Sequence, residues 1–232
     1  MRPDEVDSVR HLRIFDCVDQ KHVDAMLQPA FLQKFPAHVE LVREGDPADF
    51  LHVVVDGQVE VFAAYRDRET TVSVLGPGSS FITAAVIIDR VYLKSVRTLV
   101  PSRVLLIPAA VVRRCFEEDG AFARAMAVDL ALAYRTVVKE LKNQKLRSGL
   151  ERLANWLLLE SAANGQAKRF ALPFEKKVLA ARLGMAPEVL SRTFGTLVAY
   201  KVKVDGRTVE LGDVVALRKL AAPIVTIDDP SS

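Results

Sequence analysis

The chain has 232 residues, half of them hydrophobic and 26% charged, with a formal net charge of +3. These values suit a folded globular protein of one or two modest domains and exclude disordered or collagen-like classes. The uncharged stretch Val72 to Ile88 is interrupted by Gly76-Pro77-Gly78-Ser79-Ser80; it is too broken for a membrane span of about 20 apolar residues.

The charge is unevenly divided. Residues 1–134 hold 15 Lys and Arg against 19 Asp and Glu, whereas residues 135–220 hold 17 against 8. A basic C-terminal half is the footprint expected of a double-stranded DNA binder, because phosphate contacts supply much of the affinity. The N-terminus MRPDEVDSVRHLRIF has no apolar signal core, so a cytoplasmic protein without a membrane partner is expected. Cys17 and Cys115 are far apart in sequence with no Cys or His at metal-ligand spacing. That pattern argues against an iron–sulfur cluster or a four-ligand zinc site and for two inert thiols.

In chain order, Asp4 to Leu32 reads as short helices, with Val23, Met26, Leu27 and Ala30 at helical spacing. From Phe35 to Pro108 the pattern changes to short strand-like runs. Leu51 to Val55 leads through Asp56-Gly57 into Gln58 to Phe62, which is read as a hairpin. Thr70–Leu75, Ser95–Thr98 and Arg103–Ile107 continue the series, so an antiparallel barrel or jelly roll is expected. Asp119 is a candidate N-cap for a long helix from about Gly120 to Lys145. Its apolar residues, including Met126, Leu130, Tyr134, Val137 and Leu141, cover most of its girth. Such a helix needs burial on two sides; packing against a second copy in a homodimer is expected, the alternative being a helix that lies wholly on its own domain.

A further helix surrounds Trp156 from Ser148 to Ala163, and Asn164-Gly165-Gln166 ends it. The stretch Lys176 to Leu197, KKVLAARLGMAPEVLSRTFGTL, then reads as a helix-turn-helix. Gly184 supplies the turn, Pro187 suits the first position of the second helix, and Leu183, Leu190 and Leu197 point inward. That places Glu188, Ser191 and Arg192 on the outer face. Arg matches the O6/N7 edge of guanine, Glu accepts from cytosine N4, and Ser tolerates either. The plainer alternative is an amphipathic helix with a Glu188–Arg192 surface pair. Lys201 to Val204, an Asp205-Gly206 turn and Arg207 to Leu211 form a second hairpin, a wing. Lys176, Lys177, Lys201, Lys203 and Arg207 are the expected phosphate contacts. Neither a catalytic constellation nor a phosphate loop stands out, so an enzyme is not expected.

This order of elements resembles the CRP/FNR superfamily of bacterial transcription regulators over roughly Leu12 to Leu220. Arg43-Glu44-Gly45-Asp46, Val54 to Val59 and Gly76-Pro77-Gly78-Ser79-Ser80-Phe81 are similar to its barrel motifs. The resemblance implies an α+β protein in four parts: a cyclic-nucleotide-binding-like jelly roll (1–118), a dimerisation helix (119–146), a winged helix-turn-helix (147–222) and a tail (223–232). RNA polymerase is an implied partner. Glu188, Ser191 and Arg192 match the E-x-x-S-R signature of the FNR branch, which implies a TTGAT inverted repeat. Ala186 departs from the usual capping Ser and Thr193 from the usual apolar residue.

The effector pocket implied by the resemblance comprises Phe81, Thr83, Lys94 and Ser95. Thr83 stands where cyclic-AMP binders carry Glu, and Lys94-Ser95 where they carry Arg-Ser. Lys lacks the bidentate fork of Arg, which argues against cAMP. Pro187, Glu188, Ser191, Arg192 and the apolar Ala84 to Ile88 resemble the Dnr/NnrR branch, tied to nitric oxide, for which haem is the implied cofactor. His11, His22, His38 and His52 are the candidate ligands. The competing class is a ligand-binding regulatory module, for a small molecule or cyclic nucleotide, without direct DNA function; it leaves the basic, winged C-terminus unexplained.

Overall fold

The computed structural model describes residues 1–16, 18–66 and 68–229; Cys17 lies outside them. The chain divides into two compact units, Met1–Ala133 and Tyr134–Ser232. The long helix contributes its N-terminal half to the first and its C-terminal half to the second.

The first unit opens with α1 (Pro3–Val9), a 3-10 turn at Arg13–Phe15 and α2 (Gln20–Leu27). The Asp19 carboxylate caps α2 by accepting from the Lys21 N–H at 3.0 Å. Two four-stranded antiparallel sheets follow. One has the order β1 (Phe31–Phe35), β8 (Ser102–Pro108), β3 (Phe50–Asp56), β6 (Ser80–Phe81). The other has β2 (Glu40–Val42), β7 (Ser95–Thr98), β4 (Val59–Tyr65), β5 (Arg68–Leu75). The short helix α3 (Thr83–Ile87) follows β6, and α4 (Ala109–Glu118) follows β8.

Two sequence expectations are corrected here. Phe31 and Leu32 belong to β1 rather than to the helical segment, because β1 pairs with β8 from Phe31↔Leu106 to Phe35↔Ser102. The Asp56-Gly57 turn does not close a hairpin. It carries the chain from β3 in one sheet to β4 in the other, where β4 pairs with β5, from Val59↔Leu75 to Tyr65↔Arg68, and with β7, from Val59↔Thr98 to Phe62↔Ser95. Gly57 has φ +88, and a Cβ there would come 2.7 Å from the Pro101 carbonyl oxygen. Its lack of a side chain serves a sheet-to-sheet corner packed on the β7–β8 connection.

Leu51, Val53, Leu105, Ile107, Met26, Val112 and Phe122 are all fully buried in one core. Each such side chain contributes about 1.5–3 kcal/mol relative to exposure. The Asp119 carboxylate caps α5 (Gly120–Leu146), accepting from the Ala121 and Phe122 N–H groups at 2.8 and 3.0 Å. Its other oxygen accepts from the Asp19 N–H at 3.1 Å.

In the second unit, α6 (Gly149–Ala163) begins in a capping box: the Glu151 N–H donates to Ser148 Oγ, and the Ser148 N–H donates to the Glu151 carboxylate. Then come β9 (Arg169–Ala171), α7 (Lys176–Arg182), α8 (Pro187–Leu197), a 3-10 turn at Val198–Tyr200, β10 (Val202–Asp205), β11 (Thr208–Leu211), α9 (Val214–Ala221) and α10 (Val225–Asp228). The expected wing hairpin forms, and β9 adds a third strand that the sequence reading missed, giving the order β10-β11-β9.

Residues 223–229, expected as a tail, are docked. Asp228 accepts from the Arg147 guanidinium at 2.7 and 2.5 Å, and from the Ile224 N–H at 2.6 Å. Lys139 and Lys142 on α5 donate to the Asp229 carbonyl and the Thr226 hydroxyl at 2.7 and 2.9 Å. Among the described residues no helix is long and apolar enough to cross a membrane.

Candidate nucleic-acid interface

The helix pair α7–α8 is built around small and apolar contacts. Leu179 and Ala180 on α7, Leu183 at its end, and Leu190, Phe194 and Leu197 on α8 are buried. Gly184 takes φ +64 in the turn between them, a left-handed conformation that other residues adopt at a cost. Pro187 is the first residue of α8, and Ala186 makes no side-chain cap, as the sequence implied. Thr193 is half-buried, its hydroxyl donating to the Val189 carbonyl at 2.7 Å, so its polar atom is satisfied within the helix.

Burial of one face fixes the other. Glu188, Ser191 and Arg192 are all exposed on α8. Among the described residues no ion pair joins Glu188 to Arg192. The surface-pair alternative is therefore not what the side chains do; an acid, a hydroxyl and a guanidinium project with their hydrogen-bonding capacity open. Val189, also exposed, adds an apolar contact to this helix that the sequence reading did not single out.

The basic residues flank this face. Lys176 and Lys177 start α7 and are exposed, with the Lys176 ammonium 6.0 Å from the centroid of the Phe194 ring. Lys201 and Lys203 are exposed at the wing. Arg207 at the wing turn donates to the Leu172 carbonyl at 2.7 Å, and the Leu172 N–H donates back to the Arg207 carbonyl at 2.7 Å. One guanidinium N–H thus braces the wing and the others stay open. Lys168 and Arg169, exposed at β9, extend the basic edge of the same sheet, Arg169 lying opposite Glu210. They could be found only by knowing that β9 pairs there.

The expected effector residues fall into two pairs. Phe81 and Thr83 lie at β6 and the start of α3; Lys94 and Ser95 lie at the start of β7, in the other sheet. Among the described residues no hydrogen bond or ion pair joins one pair to the other. Phe81 is buried, its ring stacked on His52 with centroids 5.0 Å apart. The Thr83 hydroxyl is 3.0 Å from Ser80 Oγ, and Ser95 Oγ accepts from the Glu44 N–H at 3.0 Å. Partial burial lowers the Lys94 pKa from its ordinary value.

The four histidines are dispersed. His11 and His38 are exposed. His22 is half-buried and lines a cavity of ≈ 480 Å³ with Val111, Arg114 and Cys115. His52 is 4% exposed among Phe50, Phe81 and Tyr92, and its Nδ1 has no hydrogen-bond partner. Burial pushes its pKa down to about 4, against a weaker opposing pull from the Phe50 backbone, so the imidazole is neutral at pH 7. Cys115 is buried, and desolvation first, then Asp119 and Glu118, push its thiol up to about 11, which leaves it unreactive. Among the described residues no group of three or more His, Cys, Asp or Glu could hold a metal ion.

On α5, Tyr134, Val137 and Leu141 are exposed and Leu130 is half-buried, with Val128, Leu132 and Val138 adding to the apolar surface. Met126 is the exception and a correction. At 1% exposure it belongs to the first unit's own core, because the opening turns of α5 insert Phe122 and Met126 together into that core.

Two family models match. The cyclic nucleotide-binding domain covers residues 32–119, and the Crp-like helix-turn-helix domain covers residues 151–220. No curated protein sequence matches the chain. Among solved structures, the chain is similar to a regulatory protein assigned cAMP binding from Silicibacter pomeroyi DSS-3, with 28% identity, coverage of 94% of this chain and 100% of that one, and a TM-score of 0.60. It is also similar to FixK2 from Bradyrhizobium japonicum, with 21% identity, coverage of 84% and 98%, and a TM-score of 0.72. A protein assigned to the CRP/FNR family of transcriptional regulators from Eubacterium rectale ATCC 33656 shares 17% identity over 90% and 98%, with a TM-score of 0.75. The last two likenesses are of fold.

Proposed function

Because the chain has the CRP/FNR-type transcription-regulator fold, with a DNA-binding helix-turn-helix rather than an enzyme site, we propose that it works as a two-fold dimer reading an FNR-like TTGAT inverted repeat. The two copies of α8 enter successive major grooves about 34 Å apart. Arg192 takes a guanine edge, Glu188 accepts from a cytosine, and Ser191 adjusts to either. Lys176, Lys177, Lys201, Lys203 and Arg207, joined by Lys168 and Arg169, contact phosphates. The exposed apolar residues of α5, from Leu130 to Leu141, form the seam between copies. The observation that carries this reading is the exposure of Glu188, Ser191 and Arg192, whose side chains have no partners among the described residues, on a helix whose other face is buried.

Fluorescence anisotropy with a labelled duplex bearing TTGAT and its inverted repeat tests it. A scrambled duplex should bind weaker by at least 4 kcal/mol, the lower bound typical of specific over non-specific binding. Arg192→Ala should cost roughly 1–3 kcal/mol and relax discrimination at one guanine. Equal affinity for both duplexes would overturn the assignment.

The signal is read at the jelly roll, and nitric oxide bound by haem is the reading suggested by the Dnr/NnrR-like signature. The cavity beside His22 has residues that would hold such a group in part: His22 would offer an imidazole to the iron, Val111 an apolar wall and Arg114 a partner for a carboxylate. When bound, haem would supply the iron to which nitric oxide binds. Purified protein titrated with haem should develop a Soret band that is lost in His22→Ala; an identical spectrum in that variant removes His22 from this role.

A further inference from the structure

Beside the opening turns of α5, the first unit has a cleft of ≈ 330 Å³. It is walled by the Arg13–Phe15 turn, the Gly78–Ser80 segment and α5 from Ala121 to Leu132. Small-molecule pockets start at about this size, roughly 300–1,000 Å³. None of Phe81, Thr83, Lys94 and Ser95 lines it.

Its chemistry is mixed in an ordered way. Met126 supplies a buried apolar contact. Arg13 and Arg124 present two exposed guanidiniums, and neither side chain makes an ion pair or hydrogen bond among the described residues. Ser80 and Asp129 also line the cleft, and Ser80 Oγ donates to Asp129 Oδ2 at 2.8 Å. Since that uses the only Ser80 hydroxyl proton, the 3.0 Å contact with Thr83 must be donated by Thr83. Asp129 keeps lone pairs free to accept from a ligand. Asp16, also lining the cleft, disfavours a second anionic group.

We propose that this cleft is a binding site for a small organic anion with one phosphate or carboxylate head and a hydrogen-bond donor on its body. Arg13 and Arg124 hold the head, since guanidinium forks match phosphate and carboxylate bidentately. Asp129 accepts from the donor. A ligand that engages Asp129 shares that carboxylate with Ser80, and so bears on the contact between the Gly78–Ser80 segment and α5. Only this last consequence rests on the reading of the protein as a signal-controlled DNA binder; occupancy of the cleft does not.

Isothermal titration calorimetry on the full chain with guanosine 5′-monophosphate and with O-phosphoethanolamine tests the site. Both probes carry a phosphate head and donors. At least one should bind the unmodified protein, at least tenfold more weakly to Arg124→Ala and to Arg13→Ala, and with unchanged affinity to Lys94→Ala. Asp129→Asn should weaken the binding of that probe while leaving circular dichroism unchanged. Binding lost in Lys94→Ala but kept in both arginine variants overturns the proposal, as does a protein that binds neither probe. In the latter case, retained affinity for the TTGAT duplex would leave the DNA reading standing. Probe binding by a protein with no duplex affinity would support the cleft and overturn the DNA reading.

Discussion

Replacing Asp228 by Asn should release the C-terminal helix from its anchorage and lower the stability of the second unit. The Arg147 side chain is 5% exposed and that of Asp228 is 11% exposed, so the pair is shielded from water. Breaking a buried pair from one side costs about 3–5 kcal/mol, because the remaining charge stays uncompensated. Here the loss has a ceiling: once residues 223–229 detach, water reaches Arg147. A cost of about 2–3 kcal/mol follows, which for a unit of this size corresponds to a fall of roughly 10 °C or more in Tm. Burial alone would raise the Asp228 carboxyl, but the Arg147 hydrogen bonds, then the Ile224 N–H, outweigh it and hold the pKa below its usual value. A carboxyl depressed by folding lends stability above its unfolded pKa, about 3.9, and that stability is lost as pH falls through the folded value. The wild-type and Asp228→Asn melting curves should therefore be well separated at pH 7 and converge below about pH 4. Thermal melting with amide exchange across 225–229 checks both points. A Tm change under 1 °C at pH 7, with unaltered exchange, would refute the reasoning.

Other outcomes follow from local geometry. Ala222 ends α9 at φ +43 and is exposed, so Ala222→Gly should stabilise by about 0.5–1 kcal/mol, measured by urea unfolding. Ser148→Ala removes the capping-box oxygen of α6 and should destabilise by about 1 kcal/mol in the same assay. Lys203→Ala should weaken DNA binding across all sequences and lower the salt slope by about 1, read from affinities at several ionic strengths.

What could be read from the chain, and what could not, divides by the range of the interaction. Helix limits were legible because Asp119, Ser148, Gly184 and Pro187 act on neighbours within a turn. The outward face of α8 was legible because Leu183, Leu190 and Leu197 fix its inward one. Strand pairing was not: Asp56-Gly57 carries a hairpin signal, yet which ladder β4 joins is decided by residues such as Leu75 and Thr98 far along the chain. Met126 shared the apolar spacing of the exposed α5 residues, and spacing does not say which partner covers a face. β9 is three residues long, too short for any periodicity. The effector residues were placed by analogy of position; their own-chain partners, Ser80 for Thr83 and Glu44 for Ser95, depend on loop paths that no local pattern specifies.

The Asp119 carboxylate joins two helix starts that lie a hundred positions apart in sequence. One of its oxygens begins α5 and the other takes the amide at the cap of α2. Its pKa is held low, chiefly by the Phe122 N–H. Acidification that neutralises this single group therefore slackens the N-terminal helical layer and the root of the long helix in the same step. Any reporter placed on either segment should register that titration at one shared midpoint.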